Sequence, residues 1–250
     1  MALIQNSRYE SVDALRGVAI VWMTVFHFCF DLSHFGYLNA DFYNDPFWTL
    51  QRTAIVTLFL SCAGFGQALA TQQGQTWTRF WHRWAQIALC AGLVSVASYA
   101  MYPRSFIYFG ILHGIAVMLI VARLTVGWGR WLWLLGVLAW GAQAAAPFLH
   151  KAWSGAEVLN MPALNWLGLI SRIPITEDYV PLLPWLGVMW WAMATGTWLA
   201  RQRPAWMEYD SGPVMRPLAF LGRWSLSYYM LHQPVLIGAL MLLASGTGCA

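Results

Sequence analysis

The first apolar stretch of the sequence carries ionisable side chains on one face of its predicted helix. At about 100° per residue, His27, Asp31 and His34 fall on the same narrow stripe as Asp13 and Arg16. A carboxylate one turn from a histidine can hold the imidazole tautomer and stabilise the imidazolium, which suits a general base. The spacing therefore predicts that His27 and Asp31 are catalytic. The alternative is that His27 hydrogen-bonds a neighbouring helix and that Asp31 is a loop residue at the end of the span.

Three more polar residues are expected at outer to middle depth on other helices. His113 lies inside the fourth predicted span, His232 inside the last, and Arg52 at the outer mouth of the second. Ionisable groups cost about 2.5–3.5 kcal/mol each on membrane insertion, so several of them together indicate a site. We expect these three residues to bind a substrate. Each of them alone is more often a packing residue.

Asp178 and Tyr179 lie on the outer approach to the sixth predicted span. Both side chains can hydrogen-bond a hydroxyl or an amine, so we predict that they contact a substrate. The alternative is that Asp178 caps the helix that begins near Pro181.

Four arginines are predicted near the cytosolic ends of spans. Arg79 and Arg83 lie one turn apart, Arg223 begins the last span, and Arg16 is near the start of the first. Arginines in such positions are more often explained by topology alone. Guanidinium groups also match phosphates well, so these four are predicted to bind a nucleotide-like donor such as coenzyme A; Arg16 could instead pair with Asp13. No glycine-rich nucleotide fingerprint occurs, and the four cysteines show no metal-ligand spacing. Neither a nucleotide-driven pump, a nicotinamide enzyme nor a metal site is therefore predicted.

The composition identifies the solvent of the chain. Its 250 residues are 59% hydrophobic and 10% charged, with a mean hydropathy of +0.53, whereas soluble domains carry about 25% charge. A chain so poor in charge cannot cover a water-facing surface, so membrane lipid is its predicted partner. The same figures exclude a disordered chain, a basic nucleic-acid binder and, with four cysteines, a disulfide scaffold.

Apolar stretches of about 20 residues, the length that crosses a bilayer, define the elements that must position these residues. They predict an all-α polytopic membrane bundle. Residues 156–170, which include Asn160 and Pro162, are predicted as a re-entrant or interfacial helix. No repeat or linker interrupts the pattern, so residues 1–250 form one predicted domain. The seven predicted spans are residues 14–34, 50–70, 80–101, 106–124, 128–148, 181–200 and 223–245.

The distribution of basic residues predicts the orientation. Ten of the 14 fall in one set of alternate loops and four in the other, which by the positive-inside rule places the N-terminus in the cytoplasm and the C-terminus outside. The net charge of +4 is then explained by topology. The ten are Arg8, Arg16, Arg79, Arg83, Arg123, Arg130, Arg201, Arg203, Arg216 and Arg223, and the four are Arg52, Arg104, Lys151 and Arg172.

Four blocks of the sequence resemble the heparan-alpha-glucosaminide N-acetyltransferase catalytic-domain family of transmembrane acyltransferases. They are RYESVDALRG from Arg8, GILHGIAVML from Gly110, DYVPLLPWLG from Asp178 and LGRWSLSYYMLHQPVLIG from Leu221. Together they span nearly the whole chain in order. The chain looks like a short bacterial member, expected in the inner membrane without an appended soluble domain.

The resemblance implies an acyl-CoA-dependent transferase. Acetyl-CoA would be supplied from the cytosol, and the acceptor would be a hydroxyl or amine of a sugar or glycan on the far side. An asparagine of the animal enzyme aligns with His27, and His34 is the nearest candidate for the loop histidine regarded as catalytic there. More distant acyltransferases of the superfamily place a functional histidine on the first helix, which favours His27 as the general base.

In the reaction that the resemblance implies, Arg52, His113 or His232 would hold the acceptor or the developing oxyanion. Asp178 and Tyr179 would contact the acceptor.

Two other functions stay open on the sequence. Buried histidines and Arg52 would also suit a proton- or anion-coupled transporter, although the spans show no internal repeat. A non-catalytic subunit of an envelope-polysaccharide assembly is the third reading. Small residues such as Gly64, Gly66 and Gly187 could serve internal packing or the contacts of a homodimer.

Overall fold

The computed structural model describes residues 9–202 and 212–246, so Arg8 and Arg203 lie outside the described residues. Within those ranges the regular structure is helical and contains no strand, and the predicted all-α class is confirmed. Three short 3-10 helices cover Val126–Trp128, Ser154–Asn160 and Asn165–Leu167. The α-helices are α1 (Glu10–His34), α2 (Pro46–Gln72), α3 (Trp77–Met101), α4 (Ile111–Thr125), α5 (Trp131–Ala152), α6 (Leu182–Gln202), α7 (Gly212–Arg223) and α8 (Ser225–Gly246).

Six segments of the described chain are long and apolar enough to cross a membrane. They are α1, α2, α3, α5, most of α8, and the stretch Ile111–Trp128 that contains α4. They coincide with six of the seven predicted spans, and the prediction of a polytopic membrane bundle is confirmed. The remaining predicted span, residues 181–200, forms α6, which has 21 residues but is not among the six, because its tryptophans and threonines lower its mean hydropathy.

Residues 156–170 do not form the single helix predicted for them. Asn160 ends the first of the two 3-10 helices of this segment, and its side chain accepts a hydrogen bond from the Ser171 N–H at 3.0 Å, beyond the second, and so closes a loop. Gly168 follows with φ of 90°, a left-handed conformation that favours glycine. Side chains and turns thus satisfy backbone groups that a continuous helix would have paired internally.

The described residues form two compact units, one of residues 9–59 and 212–246 and the other of residues 60–202. Helix α2 begins in the first unit and continues into the second.

In the first unit, α1 packs against α7 and α8. Gly17 faces the backbone of Leu218, and Gly222 faces the backbone of Asp13, so closely that a Cβ atom at either glycine would collide with main-chain atoms. Helices α1 and α7 therefore meet backbone to backbone, as small residues allow in membrane proteins. The span analysis did not anticipate α7, because its 12 residues are too few to cross a bilayer.

An apolar cluster supports the C-terminal half of α1 in the same unit. Met23 and Phe26 are buried together with Phe42 and Ile55. The Phe26 ring contacts the edges of two neighbours, Phe42 at a centroid distance of 5.5 Å and His27 at 5.9 Å. This packing limits the rotamers of the segment that carries His27.

In the second unit, α3 packs on α4, and α6 packs on both α4 and α5. The segments that precede α4 and α6 run side by side in parallel, joined by the single bridge between Phe109 and Tyr179. The Val180 N–H donates to the Phe109 carbonyl at 3.2 Å. This pairing places Asp178 and Tyr179 beside the N-terminus of α4.

Candidate active site

The central feature of the first unit is a pair of histidines on α1 and α8. His27 Nδ1 lies 2.7 Å from His232 Nε2, and the two rings are within 18° of coplanar. Their centroids are 5.0 Å apart, about the nitrogen-to-nitrogen distance plus one ring radius on each side. The rings therefore meet edge to edge through an in-plane hydrogen bond and not face to face.

The main chain determines which nitrogen of this pair is free. His232 Nδ1 lies 2.7 Å from the Tyr229 carbonyl oxygen, which can only accept, so Nδ1 of His232 carries the proton. With both rings neutral, His232 Nε2 must then accept the Nδ1–H of His27. The remaining lone pair is on His27 Nε2, the nitrogen available to act as a base.

Hydroxyl groups extend the polar contact between α1 and α8. Thr24 donates to the Ile20 carbonyl at 2.8 Å, so its oxygen accepts from the Tyr228 hydroxyl, 3.1 Å away. The Tyr228 ring also lies nearly parallel to the His232 ring, at 10° and 6.1 Å between centroids. Tyr228, one turn before His232 on α8, thus helps to fix the pair.

Asp31 does not make the hydrogen bond that its spacing predicts. It is buried, and its Oδ1 accepts from Gln233 Nε2 at 2.7 Å. The contact that orients the His27 ring comes from His232 instead. The reason is that α8 supplies a closer partner to each of the two α1 side chains. A catalytic role of Asp31 stays a prediction.

The first unit thus offers a base and, on another helix, an exposed guanidinium group. His27 Nε2 can accept a proton, while Arg52 is exposed on α2 and stays a predicted oxyanion contact. Within residues 9–202 and 212–246, no group of three His, Cys, Asp or Glu side chains could hold a metal ion.

In the second unit, His113 has both ring nitrogens in hydrogen bonds. The Gly110 N–H donates to Nδ1 at 3.3 Å, so the neutral ring carries its proton on Nε2 and donates it to Ser95 Oγ at 3.0 Å. Ser95 in turn donates to the Ile107 carbonyl at 2.7 Å. His113 therefore ties the start of α4 to α3, and its predicted contact with substrate would require one of these bonds to be exchanged.

Asp178 and Tyr179 also have internal partners. Asp178 Oδ2 accepts the Ile111 N–H at 2.7 Å, so the carboxylate caps α4. The Tyr179 hydroxyl donates to the Asn165 carbonyl at 2.6 Å. Burial, followed by the nearby Tyr108 hydroxyl, raises the pKa of Tyr179 above its usual range. Their predicted role as acceptor contacts stays a prediction.

A comparison with known protein families identifies the family of the chain. The model described as heparan-alpha-glucosaminide N-acetyltransferase, catalytic, matches residues 8–234. The chain belongs to this family. The match contains three of the resembling blocks and most of the fourth, so the resemblance is confirmed, and membership indicates a membrane-embedded acetyltransferase. No curated protein and no solved structure matches the chain.

Two arginines predicted to bind coenzyme A in this heparan-alpha-glucosaminide N-acetyltransferase family member are paired with carboxylates. Arg16 Nη1 lies 2.9 Å from Asp13 Oδ1. Arg223 reaches Glu10 at 3.3 Å and Asp13 at 3.8 Å. The local ion pair considered for Arg16 is therefore present.

The other two predicted coenzyme A ligands, Arg79 and Arg83, are exposed in the first turns of α3. The Thr76 hydroxyl caps this helix by accepting the Arg79 N–H at 3.3 Å. Exposed guanidinium groups at a helix start are accessible to a phosphate.

The sequence analysis missed one buried arginine. Arg123 is 8% exposed and donates to Thr71 Oγ1 at 2.9 Å and to the Gln75 carbonyl. Its guanidinium also lies 4.9 Å from the centre of the Trp77 ring. Counting it as a loop charge overlooked the apolar residues that flank it on both sides in the sequence.

Proposed function

We propose that this protein transfers an acetyl group from cytosolic acetyl-CoA to a hydroxyl or amine of a sugar or glycan on the extracytoplasmic side. It would do so in the bacterial inner membrane, with its N-terminus in the cytoplasm and its C-terminus outside. The observation that carries the proposal is the hydrogen-bonded pair His27 and His232, within candidate spans of a member of this acetyltransferase family.

In the proposed reaction His27 Nε2 takes the proton of the acceptor O–H or N–H. The acceptor oxygen or nitrogen bonds to the acetyl carbon of the thioester, and the carbon–sulfur bond breaks to release the coenzyme A thiolate. The proton on His27 then passes to this thiolate, so the base is restored. An acetyl-His27 intermediate is the second route, and single-turnover kinetics without acceptor would separate the two routes.

His232 is the proposed positioning residue of this base. Its Nε2 holds the Nδ1–H of His27, and the same contact stabilises the imidazolium that forms when His27 accepts a proton. The Tyr229 carbonyl fixes the tautomer of His232. This arrangement replaces the orienting carboxylate that the spacing of Asp31 suggested.

Arginines supply the proposed contacts with the coenzyme A phosphates and with the developing oxyanion. Arg79 and Arg83 are exposed and are the proposed ligands of the coenzyme A phosphates. Arg16 and Arg223 would exchange their carboxylate partners for a phosphate. Arg52 is the proposed donor to the developing oxyanion.

The test is acetyl transfer by purified protein in lipid vesicles, with radiolabelled acetyl-CoA outside and D-glucosamine enclosed. Because a general base contributes about 10²- to 10⁴-fold, we expect His27→Ala to lose that factor in rate. His82→Ala is the matched control, since His82 is an exposed histidine on α3. Full acetylation by His27→Ala would contradict the assignment. Solute flux by a protein that binds no acetyl-CoA would favour the transporter.

A further inference from the structure

Asp31 and Gln233 form a second polar contact between α1 and α8. Asp31 is 3% exposed, and its Oδ1 accepts from Gln233 Nε2 at 2.7 Å. An ionised carboxylate only accepts hydrogen bonds, so this contact also fixes the orientation of the Gln233 amide, with its nitrogen toward Asp31.

Each partner in this contact has one buried oxygen left over. Asp31 Oδ2 and Gln233 Oε1 are inaccessible, and neither has a hydrogen-bond donor among the described residues. Buried acceptors without a donor are rare, because burial removes the hydrogen bonds they would make with water. Two such atoms in one contact indicate two missing donors.

The charge of Asp31 is also poorly balanced by the described residues. Gln233 is neutral, and no lysine or arginine forms an ion pair with Asp31 within residues 9–202 and 212–246. The titratable group that interacts with Asp31 is His34, three residues further along α1 and exposed. A ligand that brings donors, with or without positive charge, would be favoured here.

We infer that Asp31 and Gln233 form a subsite for two adjacent O–H or N–H donors of the acceptor. The inference rests on the proposed function and names what the acceptor must carry. Asp31 follows His27 by one helical turn, and side chains at that spacing lie about 5–6 Å apart, a distance spanned by the substituents of one sugar ring. The ring held by Asp31 and Gln233 would thus present a neighbouring group to His27. Asp31 is then a substrate-binding residue.

An internal arrangement would satisfy the same atoms without a ligand. A proton on Asp31 Oδ2 could be donated to Gln233 Oε1, which would close a cyclic pair. Asp31→Asn imitates that protonated form, because its NH2 group can donate to Gln233 and its carbonyl oxygen can accept from Gln233. The same variant removes an acceptor that a ligand would need, so it separates the two explanations.

The experiment measures the KM for D-glucosamine, the KM for acetyl-CoA and kcat for wild type, Asp31→Asn and Gln233→Leu in lipid vesicles. Loss of a charge-assisted hydrogen bond predicts an increase of about 10- to 100-fold in the KM for D-glucosamine in Asp31→Asn. The KM for acetyl-CoA should stay within about twofold. Glu157→Gln, an exposed carboxylate, is the matched control.

A binding measurement without acetyl-CoA distinguishes this inference from the proposed function. D-glucosamine should raise the melting temperature of detergent-purified wild type and should not raise that of Asp31→Asn. No shift in wild type would overturn the subsite, as would an unchanged D-glucosamine KM in Asp31→Asn or a loss confined to kcat. Binding that depends on Asp31, in a protein that transfers no acetyl group, would leave the subsite standing and overturn the proposed function.

Discussion

Replacing His232 by phenylalanine keeps a flat ring in α8 and removes the acceptor of the His27 Nδ1–H. His27 then loses the contact that holds its proton on Nδ1, and its imidazolium form loses the same partner. A hydrogen bond to a charged group contributes about 1.5–3 kcal/mol, and about 1.36 kcal/mol in the barrier is tenfold in rate. We therefore expect kcat for His232→Phe to fall by about 10- to 150-fold.

The assay is the initial rate of labelled acetyl transfer from acetyl-CoA to D-glucosamine at saturating concentrations of both. His232→Gln is the conservative control, because its amide oxygen can accept from His27 and should recover part of the rate. If the two histidines act as one unit, the double variant His27→Phe/His232→Phe should be no slower than His27→Phe alone. A kcat for His232→Phe within about twofold of wild type, or losses that multiply in the double variant, would refute the reasoning.

Three stability predictions can be checked by thermal unfolding of the detergent-purified protein. Gly17→Leu forces a side chain against the Leu218 backbone and should lower the free energy of unfolding by about 1–3 kcal/mol. Gly92→Leu is the control, because an added Cβ there meets nothing within 4 Å. Equal melting temperatures of the two variants would contradict this packing. Asp178→Ala removes the cap of α4 and should lower the free energy of unfolding by about 1 kcal/mol. An unchanged melting temperature would contradict this role. Arg123→Met keeps the aliphatic stem, loses the hydrogen bonds to the end of α2 and should cost about 1–3 kcal/mol; a variant as stable as wild type would show that these bonds contribute nothing.

Helical periodicity was enough to predict which side chains share a face of α1, and apolar length was enough to predict six of the membrane helices. Neither could predict the partner of His27. His232 is 205 residues away in the sequence, and the two rings meet because α1 packs on α8. Local patterns contain no information about that packing, so Asp31, four residues along the same helix, was the nearest visible partner.

Predictions from local sequence also failed where segments distant in the sequence provide one another's hydrogen-bond partners. A capping aspartate ahead of a helix is expected to cap that helix, but Asp178 caps α4, 67 residues earlier. The parallel pairing of the segments before α4 and α6 brings it there. In the same way, a count of loop charges could not show that Arg123 is buried against Trp77.

The backbone contact between α1 and α7 has a consequence for the direction in which the polar face of α1 points. Because Gly17 and Gly222 leave no side chain between the two helices, main-chain atoms determine how far α1 is turned about its own axis. A turn of about 10° moves a side chain about 5–6 Å from that axis by about 1 Å, and such a displacement can cost about a hundredfold in rate. Gly17, more than two helical turns before His27 on α1, and Gly222 on α7 would therefore fix the direction in which the proposed base points.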